Sequence, residues 1–542
     1  MPVSSRSTPC RHTPSRRGNR SPWRRLAIAG LALTALGSCA VAEPAPDRSA
    51  DFAMDTGAEV FLIGYEGIAD LYVEAIPTPS LALAALDGVA ALDPAIAFVR
   101  RGESLIVTHN GAPFAKFTVP QDDDIRSWAR LTSASLAAAR KRSALLLRSN
   151  NDRLFEAAFD SITRKLDRFS RYRNAAESEI SRSARKGYVG IGVTISEGEN
   201  GIEVASVFAD SPAHDAGLRQ GDRFVAVAGH PVTGLGLTET AGLLRGRSGS
   251  TVPIRVARGD RELEFDVRRQ QVIEDTVRFA SVDGIAYFHV SGFNVATASA
   301  LADAIDEAKA QLGEDLPGIV LDLRQNRGGT LNQAVEVADL FVDSGLLLET
   351  RGRHTSSRHS YDARFDDTVT SAPLAVLIDS GSASAAEVVA AALQDSGRAL
   401  VIGARSYGKG SVQRIVEFPP IGTELHLTWA RMHAPSGYTL ADFGVFPSIC
   451  TPDYGDDPEV SAAALESGEL RLSETMQNRL YVATMAEADR ATLQEWCHAD
   501  HPPSTTDTDT KLAVRLLSDR KLFSLAFHAS RVALGERPRE TN

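Results

Sequence analysis

Three serines lie on the passage from an apolar stretch into an alanine-rich one, Ile378-Asp379-Ser380-Gly381-Ser382-Ala383-Ser384-Ala385-Ala386-Glu387-Val388-Val389. A hydroxyl at a strand-to-helix corner is well placed to be a nucleophile. The first N–H groups of a helix lack intrahelical acceptors and can stabilise a developing oxyanion. The same residues admit a structural reading: Ser384-Ala385-Ala386-Glu387 is S-x-x-E, a capping box whose serine only closes the helix end. A serine hydroxyl also needs a neighbouring base to take its proton. Further along, Gly403-Ala404-Arg405-Ser406-Tyr407-Gly408-Lys409-Gly410-Ser411-Val412-Gln413 sets a lysine between glycines. A lysine is a base only when neutral, so burial must lower its pKa by several units from about 10.4. A lone G-K-G is otherwise a turn with a solvated lysine. The P-loop pattern G-x-x-x-x-G-K-[ST] has its upstream glycine at Gly403, but Gly410 stands where Ser or Thr is required, so phosphate binding fits poorly.

Together with Val320-Leu321-Asp322-Leu323-Arg324-Gln325-Asn326-Arg327-Gly328-Gly329, these stretches resemble the carboxyl-terminal processing peptidases of the S41 serine peptidase family. The hallmarks of that family are L-D-L-R-x-N-x-G-G, G-S-A-S-A-S-E and G-x-x-x-x-G-K-G-x-x-Q, in that order. Its serine lies twenty-five residues before the lysine, and a glutamine lies four after the lysine. Positions 384, 409 and 413 keep those intervals and select Ser384 over Ser380 and Ser382. The resemblance implies that Ser384 is the nucleophile and Lys409 its general base. Gln413 would orient the amine without the negative charge that would restore its proton. The oxyanion hole would use the N–H groups of Gly328 and Ala385, with neither metal nor cofactor. Ala386 replaces a usual third serine, Arg327 a common proline, and Pro447-Ser448-Ile449 the usual P-D-I; none of these removes a catalytic group.

Ahead of these motifs, Tyr188-Val189-Gly190-Ile191-Gly192-Val193 precedes Ser211-Pro212-Ala213, Ala216-Gly217-Leu218, Gly221-Asp222 and Ala226-Val227-Ala228-Gly229. That order resembles a PDZ domain, with Val189, Gly190, Ile191 and Gly192 as the peptide-binding loop. Successive backbone N–H groups there can hold a terminal carboxylate while a sheet edge accepts the peptide as an added strand.

The elements that must position these groups follow from patterning. From Asp275 onward apolar strands alternate with helices: Gly284–Val290, Gly318–Leu323 and Ala375–Ile378 against Thr297–Leu312, Leu331–Phe341 and Ala385–Leu393. This predicts an α/β core with a mixed or parallel sheet. The whole chain reads as an α+β multidomain protein. A helical N-terminal domain spans 59–186, the PDZ domain 187–270, the peptidase core 271–450 and a helical C-terminal extension 451–542. In the N-terminal domain, Ser104–Thr108 and Phe114–Val119 flank Asn110-Gly111 and predict a hairpin. Long helices are expected over Ala129–Leu147 and Leu154–Phe169. Ser504–Thr510 reads as a Thr/Asp-rich linker, and the extension as a dimerisation or lid element.

Residues 1–25 hold seven arginines and no acid, and Leu26–Leu36 is apolar; these are the parts of a secretory signal. Leu36-Gly37-Ser38-Cys39 resembles a bacterial lipobox, so residues 1–39 are expected to direct export and to place a lipid on Cys39, with 40–58 as the tether; the alternative is an ordinary signal peptide cut near Ala40 or Ala42, which leaves no anchor. Loss of residues 1–38 would move the net charge from −11 to −18. A chain that acidic has no electrostatic basis for binding nucleic acid. With Cys10 discarded and Cys39 acylated, Cys450 and Cys497 remain as a candidate disulfide in an oxidising compartment.

The expected function is that of a serine endopeptidase of the cell envelope, at the periplasmic side of a membrane. It would act on proteins with exposed C termini that its PDZ domain recognises. The resemblance also implies that an adaptor protein or homo-oligomerisation can control access. The alternative is a catalytically inactive PDZ scaffold, which would be free to lose Lys409 or Gln413. A Ser-His-Asp esterase is disfavoured, because no G-x-S-x-G elbow is present and His289, His354, His359, His426 and His433 sit in no motif.

Overall fold

The computed structural model describes residues 54–364, 370–453, 455, 457–468, 479–497 and 507–533. The signal segment, Cys10, Cys39 and the first part of the tether lie outside these residues. The last part of the tether is helical, because Met54 opens the helix Met54–Leu71.

The centre of the fold is a six-stranded sheet in the order Val277–Val282, Ile285–Val290, Ile319–Asp322, Leu374–Ile378, Leu400–Gly403, Ile449–Cys450. The first pair is antiparallel and every later pair is parallel. Ile319–Asp322, Leu374–Ile378 and Leu400–Gly403 are buried at every position, the pattern of strands covered on both faces. Helices Thr297–Leu312, Leu331–Asp339 and Ala385–Asp395 cover one face. Small Ala and Val side chains let Ala385–Asp395 bury nearly all of its circumference.

The other face is covered by the C-terminal helices Thr508–Ser518 and Arg520–Ala533. Leu512, Leu516, Leu517 and Leu522 pack on Val320, Ala375, Leu377 and Ile402. One expectation is corrected: the supposed linker at Thr508–Thr510 is the first turn of a helix, and the helices from Thr508 on form a structural layer of the sandwich. Packing on the sheet removes their apolar stripe from water.

A second sheet runs His359–Asp362, Leu346–Arg351, Thr423–His433, Ser411–Phe418, with Arg171–Arg173 pairing to Thr423–His433. Phe418, Leu425 and Leu427 of this sheet enter the core of the N-terminal domain beside Phe61, Phe159 and Tyr172. The N-terminal domain and this second sheet therefore share one core.

Within the N-terminal domain the predicted hairpin is a three-stranded sheet, Ile96–Arg101, Ser104–His109 and Ala112–Thr118, with Asn110 and Gly111 both at positive φ in the turn. The expected long helix breaks at Ser143, whose side chain caps a new helix Ala144–Arg148. The helix expected to reach Phe169 ends at Thr163.

The PDZ domain has its own core, from Ile191 through Val204 and Val227 to Val267. Its sheet runs Arg261–Arg268, Thr251–Arg258, Arg223–Val227, Gly201–Val207, Val193–Gly198, so that Val193–Gly198 is an edge.

Candidate active site

The strand Leu374–Ile378 ends in a corner organised by Asp379. Its Oδ1 accepts the N–H groups of Gly381, Ser382 and Gln325 at 2.9, 3.1 and 2.9 Å, and its Oδ2 accepts Gln325 Nε2 at 2.6 Å. Ser382 is fully buried and committed: its hydroxyl donates to the Leu323 carbonyl at 2.8 Å and accepts the Asp379 N–H at 2.9 Å. Ser384 is different. It sits at φ +59°, a region that non-glycine residues seldom occupy and that persists only where the surroundings over-determine it. It heads the helix Ala385–Asp395 and is 7% exposed.

The surroundings that hold it centre on Glu387. This carboxylate is wholly buried and accepts five donors: the N–H of Ser384 at 2.7 Å, Ser406 Oγ at 2.8 Å, and the N–H groups of Gly408, Lys409 and Gly410 at 2.6, 3.1 and 3.2 Å. Oε2 takes both the Ser384 and the Lys409 amides, so one oxygen joins the backbone of the serine corner to that of the lysine loop. Burial pushes the Glu387 carboxyl up, against the pull of the surrounding donors. The S-x-x-E pattern is thus used for more than a cap: the N3 glutamate does reach back to Ser384, and it also fastens the second motif.

Lys409 is half-buried, and its Nζ donates to Gln413 Oε1 at 3.3 Å. Burial is the largest influence on the amine and brings it down to about 8. Arg171 and Arg173 push the same way, while Glu387 and Asp167 oppose them. Gln413 Nε2 donates to the Phe169 carbonyl at 2.6 Å. Gly410 adopts φ +45° beside the backbone of Leu440 and Ala441, where a side chain has no room.

The two N–H groups expected as oxyanion donors differ in their surroundings. The Ala385 N–H has no acceptor among the described residues. The Gly328 N–H instead donates to Asn326 Oδ1 at 2.8 Å, and buried Asn326 is itself anchored through Nδ2 to the Val290 carbonyl at 2.7 Å. That short-range bond between neighbours in a tight loop corrects the assignment of Gly328 as an open donor. Gly328 contributes space: a Cβ there would lie 2.7 Å from both Ser384 Cβ and the Ala383 carbonyl oxygen.

In the PDZ domain Val189 and Gly190 are not loop residues. They belong to the strand Tyr188–Gly190, paired with Gln270–Val272, and the Val189 carbonyl accepts the Gly246 N–H at 3.3 Å. Ile191 and Gly192 form the turn before the edge strand, with Ile191 buried in the core and Gly192 at φ +82°. Beside the start of the lysine loop, where the Cys497 carbonyl accepts the Arg405 N–H at 2.9 Å, Cys450 and Cys497 are bonded to each other with their Cα atoms 5.7 Å apart. Among the described residues no cluster of His, Cys, Asp and Glu could hold a metal ion. His426 is paired with Glu424 at 2.9 Å.

Sequence reasoning missed Asp167, Arg168, Phe169 and Asn326. The one local signal was Asp167-Arg168-Phe169-Ser170, an Asx-turn pattern in a stretch read as helix.

A serine at a strained helix entrance and a half-buried lysine on the following loop thus lie behind a PDZ domain. Residues 284–451 match the family model of peptidase family S41, and residues 189–268 that of a PDZ domain. The carboxy-terminal-processing protease of Bartonella bacilliformis is 36% identical over 304 residues, 55% of this chain and 70% of that protein. The carboxy-terminal processing protease CtpA of Bacillus subtilis is 30% identical over 321 residues, 58% and 68% of the two chains. A solved photosystem II D1 C-terminal processing protease is 28% identical, with 68% of this chain and 92% of that one covered at a TM-score of 0.35. The chain belongs to peptidase family S41, the serine-type peptidases that include the carboxy-terminal-processing proteases.

Proposed function

We propose that the protein is an endopeptidase that cleaves protein substrates near their C termini with a Ser384/Lys409 dyad. The observation that carries this reading is the shared Glu387 oxygen, which couples the strained serine corner to a lysine whose amine is tuned to about 8 and held by Gln413. Neutral Lys409 takes the Ser384 proton as the hydroxyl adds to the scissile carbonyl, and the resulting ammonium returns it to the leaving amine. The Ala385 N–H receives the developing oxyanion. Water then hydrolyses the acyl-enzyme with Lys409 again acting as base. The substrate tail adds as a strand to the open edge Val193–Gly198, its carboxylate against the N–H groups near Gly192. Export on the signal segment and lipidation of Cys39 would place this activity at the periplasmic face of a membrane, where an adaptor or self-assembly would control access.

The test uses the purified chain and a disordered reporter protein with an apolar C-terminal tail. Ser384→Ala and Lys409→Ala should each lower kcat/KM by about a thousandfold or more with folding intact by circular dichroism. Undiminished cleavage by either variant contradicts the dyad.

A further inference from the structure

Gln413 can present its carbonyl oxygen to Lys409 only if its amide is prevented from turning over. The restraint comes from 244 residues away, where the Phe169 carbonyl accepts Gln413 Nε2 at 2.6 Å. Phe169 lies in a turn between the helix Asn151–Thr163 and the strand Arg171–Arg173. Asp167 builds that turn. Its Oδ1 accepts the N–H groups of Phe169 and Ser170 at 2.7 and 2.8 Å, and its Oδ2 accepts the Ser170 hydroxyl at 2.7 Å. Thr428 of the peptidase sheet pins the turn from the other side. Its hydroxyl donates to Asp167 Oδ1 at 3.1 Å, and its N–H to Ser170 Oγ at 3.1 Å. Arg168 bridges to the lysine loop through Asp442 at 2.9 Å and the Gly408 carbonyl at 3.3 Å.

We propose that Asp167 is a positioning residue for the peptidase reaction: it aims the Phe169 carbonyl, and through it the Gln413 amide, at Lys409, so that the N-terminal domain completes the catalytic site. This inference rests on the dyad reading above. A neutral amine has one lone pair and two N–H groups. Donation of one N–H to Gln413 Oε1 fixes the rotation of the amine and hence the direction of the lone pair. A flipped Gln413 would turn its own NH2 toward the amine and lose the Phe169 bond at the same time. The shared core of Phe418, Leu425 and Leu427 with Phe159 and Tyr172 keeps the turn and the sheet in register.

The experiment is a double-mutant cycle on the full chain with the reporter protein, read as kcat and KM separately. Asp167→Ala should lower kcat about tenfold with KM changed by less than about twofold. Asp167→Asn keeps the Oδ1 acceptor and should recover kcat to within about threefold of the parent. Asp167→Ala combined with Gln413→Ala should be no slower than Gln413→Ala alone, because both break one chain of contacts. If Asp167→Ala does not fold, Ser170→Ala reads the same chain with a smaller loss that again disappears in the Gln413→Ala background. The inference is overturned if Asp167→Ala keeps parental kcat, if the losses multiply, or if Asn is as slow as Ala. Parental activity in Ser384→Ala would instead overturn the dyad reading on its own.

Discussion

The serine corner and the PDZ loop each turn on a residue at positive φ, Ser384 and Gly192, in two opposite settings. At the corner the backbone is over-determined: Asp379, Ser382 and Glu387 consume nearly every donor around Ser384, and the groups that matter are shielded from water. At the PDZ loop the neighbouring strand Val193–Gly198 has a partner on one side only. Under the proposed function, the difference follows from the two tasks. Stabilising transient charge and keeping an amine neutral require a dry, rigid frame, because solvent would screen the one and protonate the other. Capturing a peptide as an added strand requires an edge whose donors are still unpaired.

The contrast can be broken most severely at Glu387. Glu387→Ala leaves four backbone amides, three of them buried, and the Ser406 hydroxyl without their acceptor. At about 1–3 kcal/mol for each orphaned donor, and allowing for relaxation, a loss of about 4 kcal/mol or more is expected, together with loss of activity. A parental midpoint in urea denaturation would show that the carboxylate does not hold the frame. The PDZ side should respond differently. At Gly192→Ala the new Cβ meets Ser211 Cβ and the residue must keep φ +82°. Tail-bearing substrates should show a KM raised about tenfold, while kcat on a short peptide without a tail stays at the parental value. A fall in kcat on the short peptide would show that the two regions are not separable in this way.

Much of the catalytic corner was legible because it is local. The strand, the corner and the helix around Ser384 lie within one short segment, and the spacing to Lys409 and Gln413 is a property of the chain alone. The double reading of Ser384-Ala385-Ala386-Glu387, as cap or as nucleophile, had no resolution in sequence, since the same glutamate serves the helix end and the lysine loop. What could not be read were the contacts between distant segments. Asp167 and Phe169 look like the end of an amphipathic helix until Gln413 is seen against them. Asn326 takes the Gly328 amide through a side-chain rotamer that no pattern encodes. Thr508–Thr510 has linker composition, yet Leu512, Leu516 and Leu517 pull it into a helix by packing on the sheet.

The central claim is that Lys409 works as a neutral base beside Ser384, and the pH dependence of kcat tests it most directly. The protonated ammonium predominates below the amine's pKa and cannot accept a proton, so turnover should rise with pH. The rise should be half complete near the value of about 8 to which burial brings the amine, and a plateau should follow above it. A rise centred near 10.5, the ordinary lysine value, or turnover independent of pH between about 6 and 9 would contradict the account.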